Sequence, residues 1–541
     1  MSFEVRERDL LARIGKLETK SGVVETPVLL PVINPRIQPV KPKDMLETFG
    51  CKALITNAYI IQKNCGNEAI EKGVHKLLDY NGVMMTDSGA YQILVYGDVQ
   101  VNPEEIVHFQ EQINTDIATI LDIPTSWKAT KDYAKKTVKE TLQRAKKLWK
   151  TKTRDDIAWV GPVQGGQYLD LVAKSAKEMA KLPFQIHALG SPTTVMEQYL
   201  FNVLVDMIMT AKMNLPPERP LHLFGAGHPF MFSLAVALGC DLFDSAAYAL
   251  YAREGRYLTE NGTARLNELD YLPCACPICV KNSPADLLAK PKEEKQQLLA
   301  QHNLYVSFAE LRRIKQAIKE GRLWEHLEMR AHAHPALLQA LKRLKEYEDY
   351  LEKNSPVTKD SGLFFYNSVG LARPEVVRHR KRMAERYSPP QEAEVLLLLP
   401  QTVMKPFSKS REWQSIIAKV RRELGEKSAR FHACTYAAPF GIVPHELDEV
   451  YPLSQHEVAV PLDRETIEYV ARQVANYVEK TNYRKVILFE KSDNWGRIIT
   501  SACRQICRKR GIPFVVLQRE GISYRLVVQQ ILEAMELQTS A

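Results

Sequence analysis

Short apolar runs rich in β-branched residues recur through roughly the first half of the chain, and each gives way to a stretch with helical spacing of its apolar positions. The runs begin at Val23 (VVETPVLLPVI), Cys51 (CKALITNAY), Gly82 (GVMMTDSGA), Ile117 (IATILDIPT), Ile157 (IAWVGPVQGG), Pro183 (PFQIHALGS), Arg219 (RPLHLFGAG) and Cys240 (CDLFDSA). Between them lie segments such as KDYAKKTVKETLQRAKKLWK from Lys131, whose polar residues fall on one helical face. Eight strands alternating with helices predict a TIM (β/α)8 barrel. An open, doubly wound sheet is the competing fold, and it would lead one to seek a dinucleotide fingerprint. Gly161-Pro-Val-Gln-Gly165 and Gly225-Ala-Gly227 lack the full spacing of that motif.

Beyond the barrel, residues 285–350 read as helices rich in Lys, Glu, Leu and Ala, and the pattern breaks near Ser355–Ser361. A basic stretch follows (Arg373, Arg378, His379, Arg380, Lys381, Arg382, Arg386) and then YSPPQE, a plausible linker. From Glu392 the order reads strand (EVLLLLP), helix, strand (FHACTY), loop, strand (HEVAVP), helix, strand (KVILFE), helix, strand (FVVLQ), helix. That is a second, smaller α/β unit.

Composition narrows the class. With 541 residues, 45% hydrophobic and 25% charged, the chain is an ordinary globular protein with room for three or four folding units. Its 73 Lys+Arg against 64 Asp+Glu give a formal charge of +9, compatible with a polyanionic partner. The start, MSFEVRERDLL, has no apolar h-region. The longest apolar stretch, near Phe230–Leu238, falls far short of the roughly 20 residues a bilayer span requires. Nine cysteines, an odd count with a single tight cluster, fit a cytoplasmic chain with one metal site better than a disulfide scaffold.

In a TIM barrel chemistry sits where strands run into the following loops. Here those ends are polar: Asn57; Asp87-Ser-Gly-Ala-Tyr91-Gln92; Asp122-Ile-Pro-Thr; Gln164-Gly165-Gly166; His187-Ala-Leu-Gly190; Gly225-Ala-Gly227-His228; Asp244-Ser245. Three carboxylates, Asp87, Asp122 and Asp244, would converge on one mouth. Paired carboxylates suit glycosidic chemistry, in which one traps an oxocarbenium-like centre while the other moves protons. Gly-rich ends admit a flat ligand close to the backbone, and Tyr91 offers a ring for stacking a base. The plain alternative for each Asp is the N-cap of the next helix, and for His187 and His228 a structural histidine. After the last strand, Cys274-Ala-Cys276-Pro-Ile-Cys279 and the distant His302 have the count and spacing of a closed tetrahedral zinc site. Three thiolates and one imidazole leave no open position, so a zinc ion there is expected to be structural. His326, His332 and His334 lie further downstream.

The chain resembles the tRNA-guanine transglycosylases, the archaeal type in particular. The matching stretches are ARIGKLET (from Ala12), ETPVLLPVINP (from Glu25), ITNAYII (from Ile55), MTDSGAYQ (from Met85), LDIPT (from Leu121), PVQGG (from Pro162), HLFGAGHP (from His222), DLFDSAAYALYAREGRYLT (from Asp241) and CACPIC with His302. FFYNSVGLARPEV (from Phe364) looks like the family's exit from its catalytic domain. The resemblance implies a TIM barrel with a zinc-binding subdomain and replacement of a guanine base in tRNA. In archaeal members the incoming base is 7-cyano-7-deazaguanine (preQ0) and the position is guanine 15 in the D-arm, on the route to archaeosine. It implies that Asp244 is the nucleophile and Asp87 the general acid/base. By the same resemblance Asp122, Gln164 and Gly190 would read the base, Tyr91 would stack on it, and the chain would be a homodimer.

The expected organisation is thus 1–365 as catalytic barrel with a zinc subdomain at about 270–305, 366–391 as basic linker, and 392–541 as C-terminal α/β domain. The last resembles a domain shared with archaeosine synthase, through KPFSKS (from Lys405), FGIVPHELDEVYP (from Phe440) and NYRKVILF (from Asn482). The synthase carries Pro-Cys-Ser where this chain has Pro400-Gln401-Thr402, which argues against an amidating step. No PUA-type tRNA-binding domain is recognised, so a separately encoded PUA-type protein is an expected helper. Basic clusters on the segment Lys135–Lys150, at Arg378–Arg382 and at Arg508–Arg510 are each an ordinary solvated face, and together a path for phosphates. Besides base exchange, two other classes stay in view: a non-catalytic tRNA-binding partner and an archaeosine-synthase-like amidating enzyme.

Overall fold

The computed structural model describes residues 1–90, 102–491 and 493–518, with isolated positions 525, 526, 529 and 533. Two compact units divide it, Met1–Tyr347 and Glu348–Ala541.

In the first unit, eight strands close a barrel: β1 (Val28–Ile33), β2 (Ala53–Asn57), β3 (Val83–Asp87), β4 (Ile117–Thr119), β5 (Ala158–Val163), β6 (Ile186–Leu189), β7 (Leu221–Leu223) and β8 (Leu242–Ser245). Each pairs in parallel with its neighbour in sequence, and β8 closes on β1. Parallel strands covered by helices are buried on both faces, which is why they read as continuous apolar runs rather than alternating ones. Leu30, Ile55, Met85, Val160, Ala188 and Leu242 fill the interior.

The run from Val23, expected as one strand, is two. Gly22–Thr26 belongs to an antiparallel three-stranded sheet with Ser2–Asp9 and Ala12–Thr19, and β1 starts at Val28. Pro27 has no N–H to donate to a ladder and marks the break. Leu17 and Val24 of that sheet share a core with Ala53, Val83, Ile117, Ala158, Ile186 and Leu242, the residues that begin their strands or lead them. The sheet therefore plugs the N-terminal end of the barrel and leaves the other end to the polar loops. The expected basic helix is Lys131–Thr151, capped by Thr130. Several of its cations have acidic partners: Lys135 with Asp132, Arg144 with Glu140, Lys147 with Glu104.

The second unit is built on an open five-stranded sheet, β9 (Val395–Pro400), β10 (Phe431–Ala437), β11 (Gly441–Pro444), β12 (Lys485–Glu490) and β13 (Phe514–Gln518), in the order β11-β10-β9-β12-β13. Only β10 with β11 is antiparallel. The segment between FHACTY and HEVAVP, expected as loop, thus contributes β11. The strand expected at HEVAVP, observed as His456–Val458, pairs outside this sheet, with Leu363–Phe365. Residues 366–391 are more structured than a linker: helix Pro374–Glu385 buries Val376 in the same core as Leu396, Leu398 and Val470. Its apolar positions hide behind a run of cations, and the charge masks the helical period. The expected final helix lies mostly outside the described residues.

Candidate active site

Asp87, Asp122, Gln164, Gly190 and Asp244 all lie at or just beyond the C-terminal ends of barrel strands, on β3, β4, β5, β6 and β8. Tyr91 lies outside the described residues. The helix-cap alternative is not what Asp122 and Asp244 do: Thr130 and Ala246 stand at the N-cap positions of the helices that follow.

Asp244 is held by one oxygen. Its Oδ1 accepts from the Gly225 N–H at 2.9 Å and pairs with His222 Nε2 at 2.9 Å. Gly225 has φ +68°, a left-handed conformation that aims its N–H at the carboxylate and that side chains disfavour. His222, on β7, is fully buried, and its Nδ1 has no hydrogen-bond partner among the described residues. A proton on Nδ1 would be stranded, so Nε2 carries it and donates to Asp244. Oδ2 of Asp244 has no partner among the described residues. The motif HLFGAG contains His222, yet nothing local marks one histidine in an apolar strand as facing a carboxylate on the next.

Asp87 accepts from Asn57 Nδ2 at 2.9 Å, the two being paired in register on β2 and β3. Asn57 does two jobs, since its Oδ1 caps the following helix at the Ile60 N–H. Burial pushes the Asp87 carboxyl up to about 7, and the negative charges of Asp122 and Asp244 push the same way, against the N–H groups of Gly89 and Ser88. Asp87 therefore feels the charge of both other carboxylates. Asp122 is raised to about 6 by burial, opposed by Gln164 and by the Arg144 cation. Arg144 also donates to Leu121 O at 3.1 Å, tying helix Lys131–Thr151 to the end of β4.

Gln164 is fixed on both sides. Its Nε2 donates to Asp122, and its Oε1 accepts from the Thr125 N–H and the Ser191 hydroxyl, both at 3.0 Å. Ser191, with Thr125, is another positioning residue that the sequence did not single out. A Cβ on Gly190 would stand 2.1 Å from Gln164 Nε2, so the missing side chain is what lets the amide lie there. The Gly190 N–H donates to Val163 O at 2.9 Å, which ties the turn after β6 to the end of β5. A buried amide–carboxylate pair with preset geometry can read the hydrogen-bonding edge of a base and rejects one that leaves it unpaired. His228 caps helix Pro229–Ala237 and pairs with Thr263 Oγ1 at 2.8 Å, a structural role.

Cys274, Cys276, Cys279 and His302 bring their ligand atoms within 4.8 Å of one another. Cys276 Sγ and Cys279 Sγ lie 3.5 and 3.3 Å from His302 Nδ1, and 3.5 Å from each other. Metal–sulfur bonds of about 2.3 Å and metal–nitrogen bonds of about 2.0 Å in a tetrahedron require edges of about 3.5–3.8 Å, so the donor set fits one tetrahedral metal ion. His302 Nε2 donates to Leu258 O at 2.9 Å, which turns Nδ1 toward the thiols. Tyr257 stacks on the imidazole at 3.7 Å and meets Cys279 Sγ through its hydroxyl at 3.2 Å. His326 is committed elsewhere, to Glu310.

In the second unit Gln401 is structural: its Oε1 accepts from the Ala438 N–H at 2.9 Å. Among the described residues no helix is long and apolar enough to cross a membrane.

The family model described as queuine tRNA-ribosyltransferase matches residues 9–336, and one described as a domain of unknown function (DUF5591) matches 376–521. The tRNA-guanine(15) transglycosylase of Methanocaldococcus jannaschii is 44% identical over 86% of this chain and 70% of its own length. Proteins of the same name from Pyrobaculum aerophilum and Methanosarcina mazei are 46% and 45% identical, each over 84% of this chain and over 90% and 86% of their own lengths. This chain belongs to the tRNA-guanine transglycosylase family, in its archaeal form.

Proposed function

We propose that the chain exchanges guanine for preQ0 at position 15 of tRNA, through an ester between Asp244 and the ribose. The observation that carries this reading is the asymmetric hold on Asp244: two donors fix Oδ1, and Oδ2 is left with its lone pairs at the mouth of the barrel. Oδ2 attacks C1′ of the flipped-out nucleotide as the C1′–N9 bond breaks. The bonding pair leaves on guanine N9, which takes the proton of Asp87. A carboxyl raised to about 7 is partly protonated near neutral pH, as a general acid must be. Guanine departs and Asp87 is left ionised. It then removes the N9 proton of the incoming base, N9 attacks C1′, and the ester bond breaks to restore the Asp244 carboxylate. Two inversions give net retention, and no electrons are exchanged with a cofactor.

Asp122 and Gln164, locked together, would accept from and donate to the base edge, with the Gly190 carbonyl beside them. The Cys274, Cys276, Cys279 and His302 set would hold a zinc ion whose role is to fix the hairpin Arg256–Thr259/Gly262–Arg265 against helix Lys292–Lys319. It supplies no step of the exchange.

The test is release of label. Purified chain is mixed with tRNA carrying radiolabelled guanine at position 15, with and without preQ0. Release that depends on preQ0, with the new base mapped to position 15, is the expected result. Intact label after long incubation with well-folded protein would sink the reading.

A further inference from the structure

In the second unit, a cavity of about 320 Å³ opens beside helices Glu348–Asn354 and Pro374–Glu385. Five cations line it, Lys353, Arg378, Lys381, Arg382 and Arg386, against the two carboxylates of Glu352 and Glu385. The cations are not equivalent. Arg378 is buried and spent: it bonds the Glu352 carboxylate and the carbonyls of Glu352, Ser355 and Pro356, closing the end of helix Glu348–Asn354. Lys381 is paired with Asp349 at 2.8 Å and with Glu352 at 3.3 Å. Arg382, Arg386 and Lys353 are exposed and have no acidic partner among the described residues. The structure thus uses Arg378 and Lys381 to build a wall, and leaves three cations pointing at solvent along it.

Arg378 and Arg382 stand one turn apart on the helix, roughly 6 Å along its axis, and Arg386 follows four residues on as its C-cap. Val357 is the single apolar residue in the lining. A peptide or a drug-like molecule needs apolar walls, and this cavity has almost none. What suits it is a chain of point anions that arginine forks can grip. We propose that this cavity binds consecutive phosphodiesters of the tRNA backbone, with Arg382 and Arg386 as the principal contacts and Lys353 as a third. The proposal rests on the tRNA reading above for the identity of the polyanion, and it assigns part of the tRNA footprint to the second unit.

The experiment measures tRNA affinity of the full chain across a salt series, for wild type, Arg382→Gln/Arg386→Gln and Arg382→Lys/Arg386→Lys. Each lost phosphate contact flattens the plot of log affinity against log salt by about 0.9. The Gln pair is expected to flatten it by about 2 and to weaken binding by about tenfold or more at low salt, and the Lys pair to keep the slope. KM for tRNA should rise while kcat at saturating tRNA holds. Equal thermal stability of all three proteins guards against misfolding, since both arginines are exposed. A Gln pair that binds tRNA with wild-type affinity and slope overturns the proposal, even if wild type exchanges guanine normally. Conversely, wild type that binds with the expected slope but never releases guanine defeats the exchange reading alone.

Discussion

Two half-buried carboxylates, one in each unit, are driven in opposite directions. Asp87 at the barrel mouth is pushed up to about 7 by burial, and its neighbours Asp122 and Asp244 add to the push. Glu446, just after β11, is also pushed up by burial, but His432 and Tyr387 outweigh that and hold it down at about 2. Around Glu446 the polar groups satisfy one another: His432 Nε2 lies 3.2 Å from its oxygens, His432 Nδ1 meets Tyr483 at 2.6 Å, and Tyr483 meets Tyr477 at 2.8 Å. At the barrel mouth like charges face one another, and Asp244 Oδ2 is left without a partner among the described residues. A closed network of donors and acceptors fixes a fold. A set of groups forced to keep unused capacity is what a reaction needs.

The largest effect that could break this contrast is on Asp244, the proposed nucleophile. Asp244→Asn keeps an acceptor for the Gly225 N–H and removes the anion. Exchange should fall by roughly 10⁴-fold or more, with no adduct surviving SDS and little change in Tm. An Asn variant that still traps tRNA covalently would show that the spare oxygen is not the reactive one. Next comes metal removal. Zinc held by three thiolates can contribute on the order of 10 kcal/mol in isolated modules, and here the surrounding helices share the load. Chelation under reducing conditions should release one equivalent of zinc and lower the calorimetric transition of the first unit. The transition of the second unit, where no such cluster occurs among the described residues, should hold its position. Full thermal stability of a metal-free protein would refute the assignment.

The barrel was legible because parallel strands buried on both faces announce themselves as continuous apolar runs, and because three aspartates and two Gly-rich turns ended those runs. The Cys-x-Cys-x-x-Cys spacing needed no fold to be read. Its fourth ligand did need one, since His302 differs from His326 only through Leu258 O and Glu310, which lie far away in sequence. The split at Pro27 was hidden by β-rich residues on both sides of the proline. Helix Pro374–Glu385 was hidden because its four Lys and Arg outnumber its three buried apolar residues, Pro374, Val376 and Val377. His222 was out of reach for a similar reason, since a cross-strand partner is a fact of register.

His222 therefore offers a sharper test of how the spare oxygen is kept spare. With His222→Phe only the Gly225 N–H orients Asp244, and the carboxylate can rotate. Loss of one such hydrogen bond to a charged group costs about 1.5–3 kcal/mol, so kcat should drop about 10- to 100-fold while KM for tRNA stays near wild type. His222→Gln, which keeps a donor, should recover part of the loss. An unchanged kcat in the Phe variant would leave Gly225 as the sole anchor. Asp87→Asn probes the other side of the mouth. It should abolish exchange, yet stabilise the protein. An acid whose folded pKa is raised to about 7 from an ordinary value near 4 favours the folded state at low pH and loses that contribution as pH rises through 7. Above pH 7 the Asn variant should be the more stable by on the order of 2 kcal/mol, after screening at the open mouth. Below pH 4 the two should converge. A less stable Asn variant at pH 8 would mean that Asp87 is not strained by its neighbours.

Glu446→Gln should do the reverse, and by less. With its folded pKa held at about 2 against an ordinary 4.5, ionised Glu446 contributes stability that is fully present above pH 4.5 and fades as pH falls through 2. The Gln side chain keeps an acceptor for His432 and Tyr387 but not the charge. Because the Glu446 side chain is 42% exposed, water screens most of what the shift implies, and the loss at pH 7 should be about 1 kcal/mol or less. Urea denaturation of wild type and variant at pH 7 and again near pH 2 reads this directly: a gap at neutral pH that closes in acid. A Gln variant more stable than wild type at pH 7 would place Glu446 with Asp87, as a carboxylate kept against its electrostatic preference, and the distinction between the two sites would have to rest on geometry alone.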